Sequence, residues 1–396
     1  MKKINLKMVM MVIIMVVMLV LIFYYTIYQR YYSLSKTANN NNKAEIMLFY
    51  NNDDSELVLL DYNKKNNNYQ IVNQITIKRT NPYLKSYSYN KKHNSIITTL
   101  YKNDSFDCKC EGIILTDLNT LKSKRLKVGR EALSGCNEVS TSGDYVVFSS
   151  QENVTLFDIK DNTQKNYSFP PSPKSIDISA TINQDNKVFL FGEYNKEING
   201  DLKSIGEIKM ISNGKIKNVV DKYVLDNSYN FYKNDLYVIS YISNDNGDIV
   251  ENYITIIDNN GKVLEDVKMP FIADDLNVVA NDKIYLTKSD RIGNNASIII
   301  YDLKTKNFAT TPIKLKDKAI WSLDVKNNKI YVDSGKNLDD GYVETIKKGY
   351  FKGLTEEHIY IYDAKTYKLL NTMDVNTKEY NPSAYMFSSF MVIDQK

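Results

Sequence analysis

From Glu45 to the C-terminus the chain is a succession of short apolar runs separated by polar turn residues. The runs favour Ile, Val, Tyr, Phe and Thr, side chains that suit a pleated, half-buried surface. No stretch in this body holds a helical period of useful length. The pattern therefore predicts an all-β body over residues 45–396.

The runs recur. Six of them end in Asp followed by a turn: Leu57–Asp61, Ile113–Asp117, Val154–Asp158, Tyr253–Asp258, Ile298–Asp302 and Ile359–Asp363. A degenerate copy, Glu207–Asn213, precedes Gly214. An Asp at that point can accept the backbone N–H groups of the turn it opens. A second run lies upstream in most copies, as in Tyr145–Ser149, Val188–Gly192, Leu236–Ser240, Lys283–Thr287 and Lys329–Asp333. Seven copies at a spacing of roughly 41–61 residues match the period of β-propeller blades. Each blade is read as four antiparallel strands, a to d from the centre outward. One copy shows all four: Asp275–Ala280, Lys283–Thr287, Ser297–Asp302 and Asn307–Leu315.

The copies Tyr301-Asp302 to Thr305 and Tyr362-Asp363 to Thr366 follow an apolar-apolar-Tyr-Asp-x-x-Thr pattern. On these residues the body resembles the broad family of bacterial β-propellers with YVTN- or WD-repeat-like blades. The likeness covers about residues 45–394 and implies a fold rather than an activity. The Trp of WD repeats is missing, since the sole Trp is Trp321. The first blade lacks a strand a: Ile46–Tyr50 reads as b, Leu57–Asp61 as c and Tyr69–Ile77 as d. The segment Ala384–Asp394 is expected to supply the missing inner strand and close the ring, which removes an open sheet edge.

Ahead of the repeats, Met8–Gln29 carries no charge and is almost wholly apolar. As a helix it would span about 30 Å, the thickness of a bilayer core. Lys2, Lys3 and Lys7 precede it and Tyr24, Tyr25 and Tyr28 lie at its far edge, so a signal anchor with a cytoplasmic N-terminus is expected. A cleaved signal peptide is the competing reading, but its apolar stretch is about 7–15 residues before a small-residue cleavage site. No Cys lies near enough for a lipid anchor. The organisation expected is a cytoplasmic N-terminus over 1–7, a transmembrane helix over 8–29, a flexible linker over 30–44 and a seven-bladed propeller over 45–396.

Charge adds little. The net +4 matches Lys2, Lys3, Lys7 and Arg30, which face no acid before Glu45, so the body is balanced. Without a basic stripe, no nucleic acid is expected as a partner. The 31 Tyr accompany abundant Lys, Asn and Ile, as the codon usage of an AT-rich genome produces.

In such blades the b–c and d–a connections share one face and the a–b and c–d turns the other. Here the a–b and c–d turns are short. The long segments are b–c, at about 102–112, 195–204, 243–251, 288–296 and 334–357. Loops lengthened on one face mark it as the binding surface. The longest carries Asp339, Asp340, Tyr342, Lys347, Lys348, Tyr350 and Phe351, a mixture suited to a protein or glycan. Cys108 and Cys110 in the second blade's b–c loop and Cys136 in the next d–a connection should share this face. One disulfide from Cys136 to Cys108 or Cys110 is expected, with a Cys₃ metal site and three free thiols as alternatives.

Catalytic motifs are missing. His93 and His358 are the two histidines and fall on separate blades. No Gly-rich phosphate cradle and no nucleophile-elbow Ser occurs. Asn244–Asp248 lacks the downstream Glu of a calcium loop. No cofactor and no metal is called for. The expected role is a membrane-anchored, extracytoplasmic binding or assembly module for a protein or cell-envelope glycan. The alternative is a glycan hydrolase or lyase with carboxylates in the central pit.

Overall fold

The structure is a computed structural model. It describes residues 14–22, 34–37, 44–51, 54–78, 87–102, 109–126, 139–149, 153–168, 175–198, 201–212, 214–220, 224–243, 249–289, 295–335, 357–375, 377 and 386–393. The body is a seven-bladed β-propeller. Blade 1 holds Ile46–Asn51, Asp54–Asn63 and Asn68–Lys78. Blades 2 to 7 follow in chain order over Tyr87–Leu126, Val139–Ser168, Ser175–Val220, Val224–Lys268, Asp275–Leu315 and Ala319–Asp374. Within each of these six sheets the strands are antiparallel and adjacent in chain order. The first strands of blades 2 and 3, 3 and 4, 5 and 6, and 6 and 7 touch one another, which places strand a at the centre.

Each blade is buried on both faces, and this explains the continuous apolar runs. In a strand, neighbouring side chains point to opposite faces. In blade 6, Ile284 joins the core shared with blade 5 (Tyr237, Ile239, Ile254), while Tyr285 joins the core shared with blade 7 (Leu323, Val325, Ile330). In blade 3, Val146 packs toward blade 2 and Val147 toward blade 4. Each of the seven hydrophobic clusters lies between two successive blades. The chain is thus held together by seams rather than by a single centre.

The ring closes as the sequence implied. Met386–Val392 pairs antiparallel with Ile46–Asn51, from Ile46 opposite Val392 to Asn51 opposite Met386. Phe390, Val392 and Ile393 are buried there, each contributing roughly 1.5–3 kcal/mol by removal of apolar surface from water. The blade 7 side adds polar ties. Lys326 Nζ donates to the Val392 carbonyl. Lys329 Nζ lies 2.7 Å from Glu45 Oε1, which also accepts from Tyr69 at 3.0 Å and from Tyr331. The same ammonium sits 5.0 Å from the Tyr62 ring centre and 5.8 Å from that of Tyr69, a cation–π setting. Burial, with Glu45 alongside, holds the Tyr69 phenol well above its ordinary value. Burial does the same to Tyr331, helped by its neighbour Tyr69.

Blade 1 carries a fifth strand. Leu34–Thr37, inside the segment read as a linker, pairs antiparallel with the outer strand, Leu34 opposite Thr76 and Thr37 opposite Asn73. Of the segment Met8–Gln29, residues 14–22 are described, as a helix. Ile14 through Ile22 are each 51–60% exposed. No helix among the described residues is long and apolar enough to cross a membrane.

Two of the five long b–c segments are corrected. Around 195–204 the strands Val188–Ile198 and Asp201–Ser212 stay paired to Ile198 opposite Asp201. Around 102–112 pairing runs out to Lys102 opposite Lys109. The blade 4 segment is a tall hairpin rather than a loop, and in blade 2 the paired strands reach further than the repeat pattern implied. Their upper parts carry Glu193, Lys196, Glu197 and Lys203 or Lys102 and Lys109. Such residues read as loop because charged and polar side chains interrupt the apolar runs, although the backbone stays paired.

Candidate binding face

The two faces of the ring are built differently. On the a–b and c–d face, the Asp that ends strand c accepts the backbone of its own turn. Asp117 Oδ1 takes Asn119 N (2.7 Å) and Thr120 N (3.0 Å). Asp302 takes Lys304 N and Thr305 N, both at 2.9 Å, and Asp363 takes Lys365 N (3.0 Å) and Thr366 N (2.7 Å). These N–H groups hold the Asp302 and Asp363 carboxyls below the usual carboxylate range. Consecutive left-handed residues, Lys233-Asn234, Asn281-Asp282 and Asn327-Asn328, make the a–b turns of blades 5, 6 and 7, the backbone of a type I′ hairpin turn.

This face is also stitched from blade to blade. His93, in the a–b turn of blade 2, places Nε2 2.8 Å from Asp144 Oδ1 in blade 3, and Lys92 reaches the other oxygen at 2.5 Å. Asn90 Nδ2 bonds Thr141 Oγ1 at 2.6 Å. Asn183 Nδ2 bonds Asn259 Oδ1 at 2.7 Å across blades 4 and 5. Asp282 of blade 6 accepts from Tyr232 (2.8 Å) and Lys233 (2.7 Å) of blade 5 and pairs with Lys304 at 2.8 Å. These partners hold its carboxyl far below the ordinary value, the Lys233 hydrogen bond first among them. These bonds tie successive blades together on this face.

The b–c and d–a face is the open one. Besides the hairpins of blades 2 and 4, the Asp235–Ser243 and Ile249–Ile257 strands of blade 5 stay paired to Ser243 opposite Ile249. Ile242 (38% exposed) and Val250 (50%) lie at that end of the hairpin, and Ile272 (39%) is in the connection from blade 5 to blade 6. Met269 N bonds Asn252 O at 2.9 Å, so this connection runs beside the hairpin. Phe271 stacks edge-on to Phe308 at 5.5 Å and lies under Lys288 at 5.7 Å.

Toward the centre, the inner strands of blades 5 to 7 carry polar side chains. Ser228 donates to the Asp275 carboxylate, joining blades 5 and 6. Asn277 Nδ2 bonds Thr287 Oγ1 at 3.2 Å. Ser322 Oγ donates to Asp333 Oδ2 at 3.4 Å. Trp321 is 43% exposed and is the extra residue of a bulge, since Ile320 stands opposite Ser334 and Ser322 opposite Asp333. Deeper in the same strand, Asp324 accepts Val325 N at 2.7 Å, and desolvation raises its carboxyl above the ordinary value.

Asp339, Asp340, Tyr342, Lys347, Lys348, Tyr350 and Phe351 lie outside the described residues, as do Cys108 and Cys136. The loop that holds the first seven leaves blade 7 at Gly335, the residue opposite Ala319, close to Trp321. Cys110 is on Lys109–Asp117, with its backbone opposite Tyr101. His358 opens the His358–Asp363 strand of blade 7 and stacks on Tyr360 at 5.7 Å; it stands at the b–c end of its blade, whereas His93 is in the a–b turn of blade 2. Among the described residues no group of three His, Cys, Asp or Glu is arranged to hold a metal. Sequence reasoning missed the inner-strand residues. The available signal was a lone Trp interrupting an inner strand between Ile320 and Leu323.

Neither a protein-family description nor a curated protein matches the chain. Solved structures do. The β-propeller domain of the Trilobed protease from Pyrococcus furiosus is 14% identical, with a TM-score of 0.52, over 87% of this chain and 100% of that one. Dipeptidyl peptidase 4 of Porphyromonas gingivalis is 11% identical with a TM-score of 0.47, and this chain spans 54% of its length. TolB of Acinetobacter baumannii is 13% identical with a TM-score of 0.40, over 69% of this chain and 64% of that one. At 14% identity the likeness to the Pyrococcus furiosus domain shows the fold alone. The first of these is described as having an open velcro topology. Here the C-terminal strand completes the N-terminal blade.

Proposed function

We propose that this chain is a membrane-tethered binding module working outside the cytoplasm, whose hairpin-bearing face takes a protein or cell-envelope glycan. The observation that carries the reading is the contrast between the faces. One is tied off in tight, mutually bonded turns, and the other raises hairpins and leaves Ile242, Val250, Ile272 and Trp321 open to solvent. Exposed apolar side chains beside raised hairpins suit an interaction surface; Leu264, Leu369 and Leu370 are also exposed, on outer strands just past the c–d turns of blades 5 and 7. The tether is supported by the uncharged run Met8–Gln29 and by a helix whose apolar side chains all face solvent.

The test removes a hairpin without touching the ring. Replacing residues 195–204 by a two-residue Asn-Gly turn keeps every pair below Glu193 opposite Gly206. The shortened protein should keep its melting temperature and lose retention on isolated envelope material. Equal retention by the shortened and full proteins would count against this face.

A second reading rests on Asp324. Asp324 is a carboxylate on an inner strand, the place where a glycan-cleaving pit needs a general acid. Glycan turnover that vanishes in Asp324→Asn would favour it, and turnover unchanged by that substitution would remove it.

A further inference from the structure

The open face carries, at its centre, a constellation with a chemistry of its own. Asp275 stands opposite Thr287 in blade 6, and Ser322 opposite Asp333 in blade 7. Thr287 and Asp333 are the fifth residues of the matching runs KIYLT and KIYVD. Asp275 and Ser322 therefore occupy the same level of two neighbouring inner strands. Ser228 of blade 5 reaches that level by its hydrogen bond to Asp275. Three successive blades thus present hydroxyl and carboxylate groups in one belt.

Trp321 lies one residue nearer the hairpin face than Ser322, since strand a runs from that face toward the a–b turn. A bulge re-aims the side chain of the extra residue, and here the extra residue is the Trp. The residue is 43% exposed. A large flat ring held on a rigid strand and left open loses burial that the fold would otherwise gain.

On the binding-module reading of this face, we infer that the channel mouth at blades 5 to 7 binds a glycan. The face of a pyranose ring is a patch of C–H groups that covers an aromatic ring. Its rim is a set of hydroxyls that both donate and accept. Trp321 supplies the flat apolar platform. Asp275 supplies an acceptor, and Ser228 and Ser322 supply groups of either sense; Asp333, buried, holds Ser322 in place from behind.

The chain has one Trp, so its intrinsic tryptophan emission reports this position alone. The full chain, held in detergent micelles, is titrated with chitotetraose, maltotetraose and soluble peptidoglycan glycan strands. At least one should change the emission in a saturable way. By calorimetry, Trp321→Ala should weaken that glycan about tenfold, on the scale of one aromatic stacking contact. Trp321→Phe should retain most of the affinity, and both variants should melt as the parent does. The inference is overturned if no glycan in the set moves the emission, or if Trp321→Ala binds as well as the parent. If the hairpin-shortened protein loses envelope retention while every glycan leaves the emission unmoved, the glycan assignment fails and the binding-module reading stands with a protein partner.

Discussion

Gly261 shows how closely single positions are specified. It ends the Asp258-Asn259-Asn260-Gly261 turn with φ +74, its N–H bonded to Asp258 O at 2.9 Å. A Cβ there would sit 3.1 Å from Val219 Cγ2 and 3.3 Å from Met210 Cε. Gly261→Ala should therefore destabilise by about 1 kcal/mol or more in denaturant titration, from backbone strain and crowding together. The buried tyrosines set an alkaline limit. Burial pushes Tyr237, Tyr285 and Tyr362 up to about 12. A raised phenol contributes stability that is whole below its unfolded value of about 10 and is lost as pH climbs through the folded value. Melting temperature should fall between about pH 10 and 12, with the phenolate absorbance of these rings appearing together with unfolding. Phenolate signals rising well before the melt would contradict their burial. The Asn-rich turns also correct a composition argument. Codon usage accounts for many Asn in the chain, yet Asn94, Asn162, Asn186 and Asn281 stand in left-handed turn positions that tolerate few other side chains.

At the scale of elements, the strand-and-turn grammar was legible because each blade is buried on both sides. Runs such as Lys283–Lys288 and Lys329–Gly335 alternate between two seams, so they appear as unbroken apolar stretches ended by a turn. The hairpins of blades 2 and 4 were not legible in that way. Above Gly192 the pairing in blade 4 runs on to Ile198 opposite Asp201 through backbone hydrogen bonds, which leave no hydropathy signature. The Asn199-Gly200 dipeptide was the one local sign. The inner-strand belt was hidden for another reason: Ser228, Asp275 and Ser322 come from three blades and converge only through the register. The closing strand could be read because blade 1 was one strand short and the C-terminus had one to spare. Deleting residues 383–396 should lower the melting temperature sharply, because Ile46, Leu48, Tyr50 and Tyr331 lose a wall of their cluster. Differential scanning calorimetry showing an unchanged transition would mean the clasp is dispensable.

For the whole molecule, the ring and its way of closing rest on pairing across the sheets, while the tether rests on the chemistry of the N-terminal run. If Met8–Gln29 anchors the chain, the protein should remain with membranes through a high-salt wash and come off only with detergent. Recovery as a soluble form shortened by about 30 residues would point to a cleaved signal peptide instead. The added strand Leu34–Thr37 constrains what the tether can do. It begins at Thr76, near the hairpin end of blade 1, and proceeds toward the turn face. The polypeptide thus arrives at the toroid from the side of its open mouth. Between Gln29, where the uncharged run ends, and Leu34 a fully stretched chain covers at most about 18 Å. On the tethered reading that leash is a standoff: the mouth works within a few nanometres of the lipid surface, and its quarry has to be met in that gap rather than out in the medium.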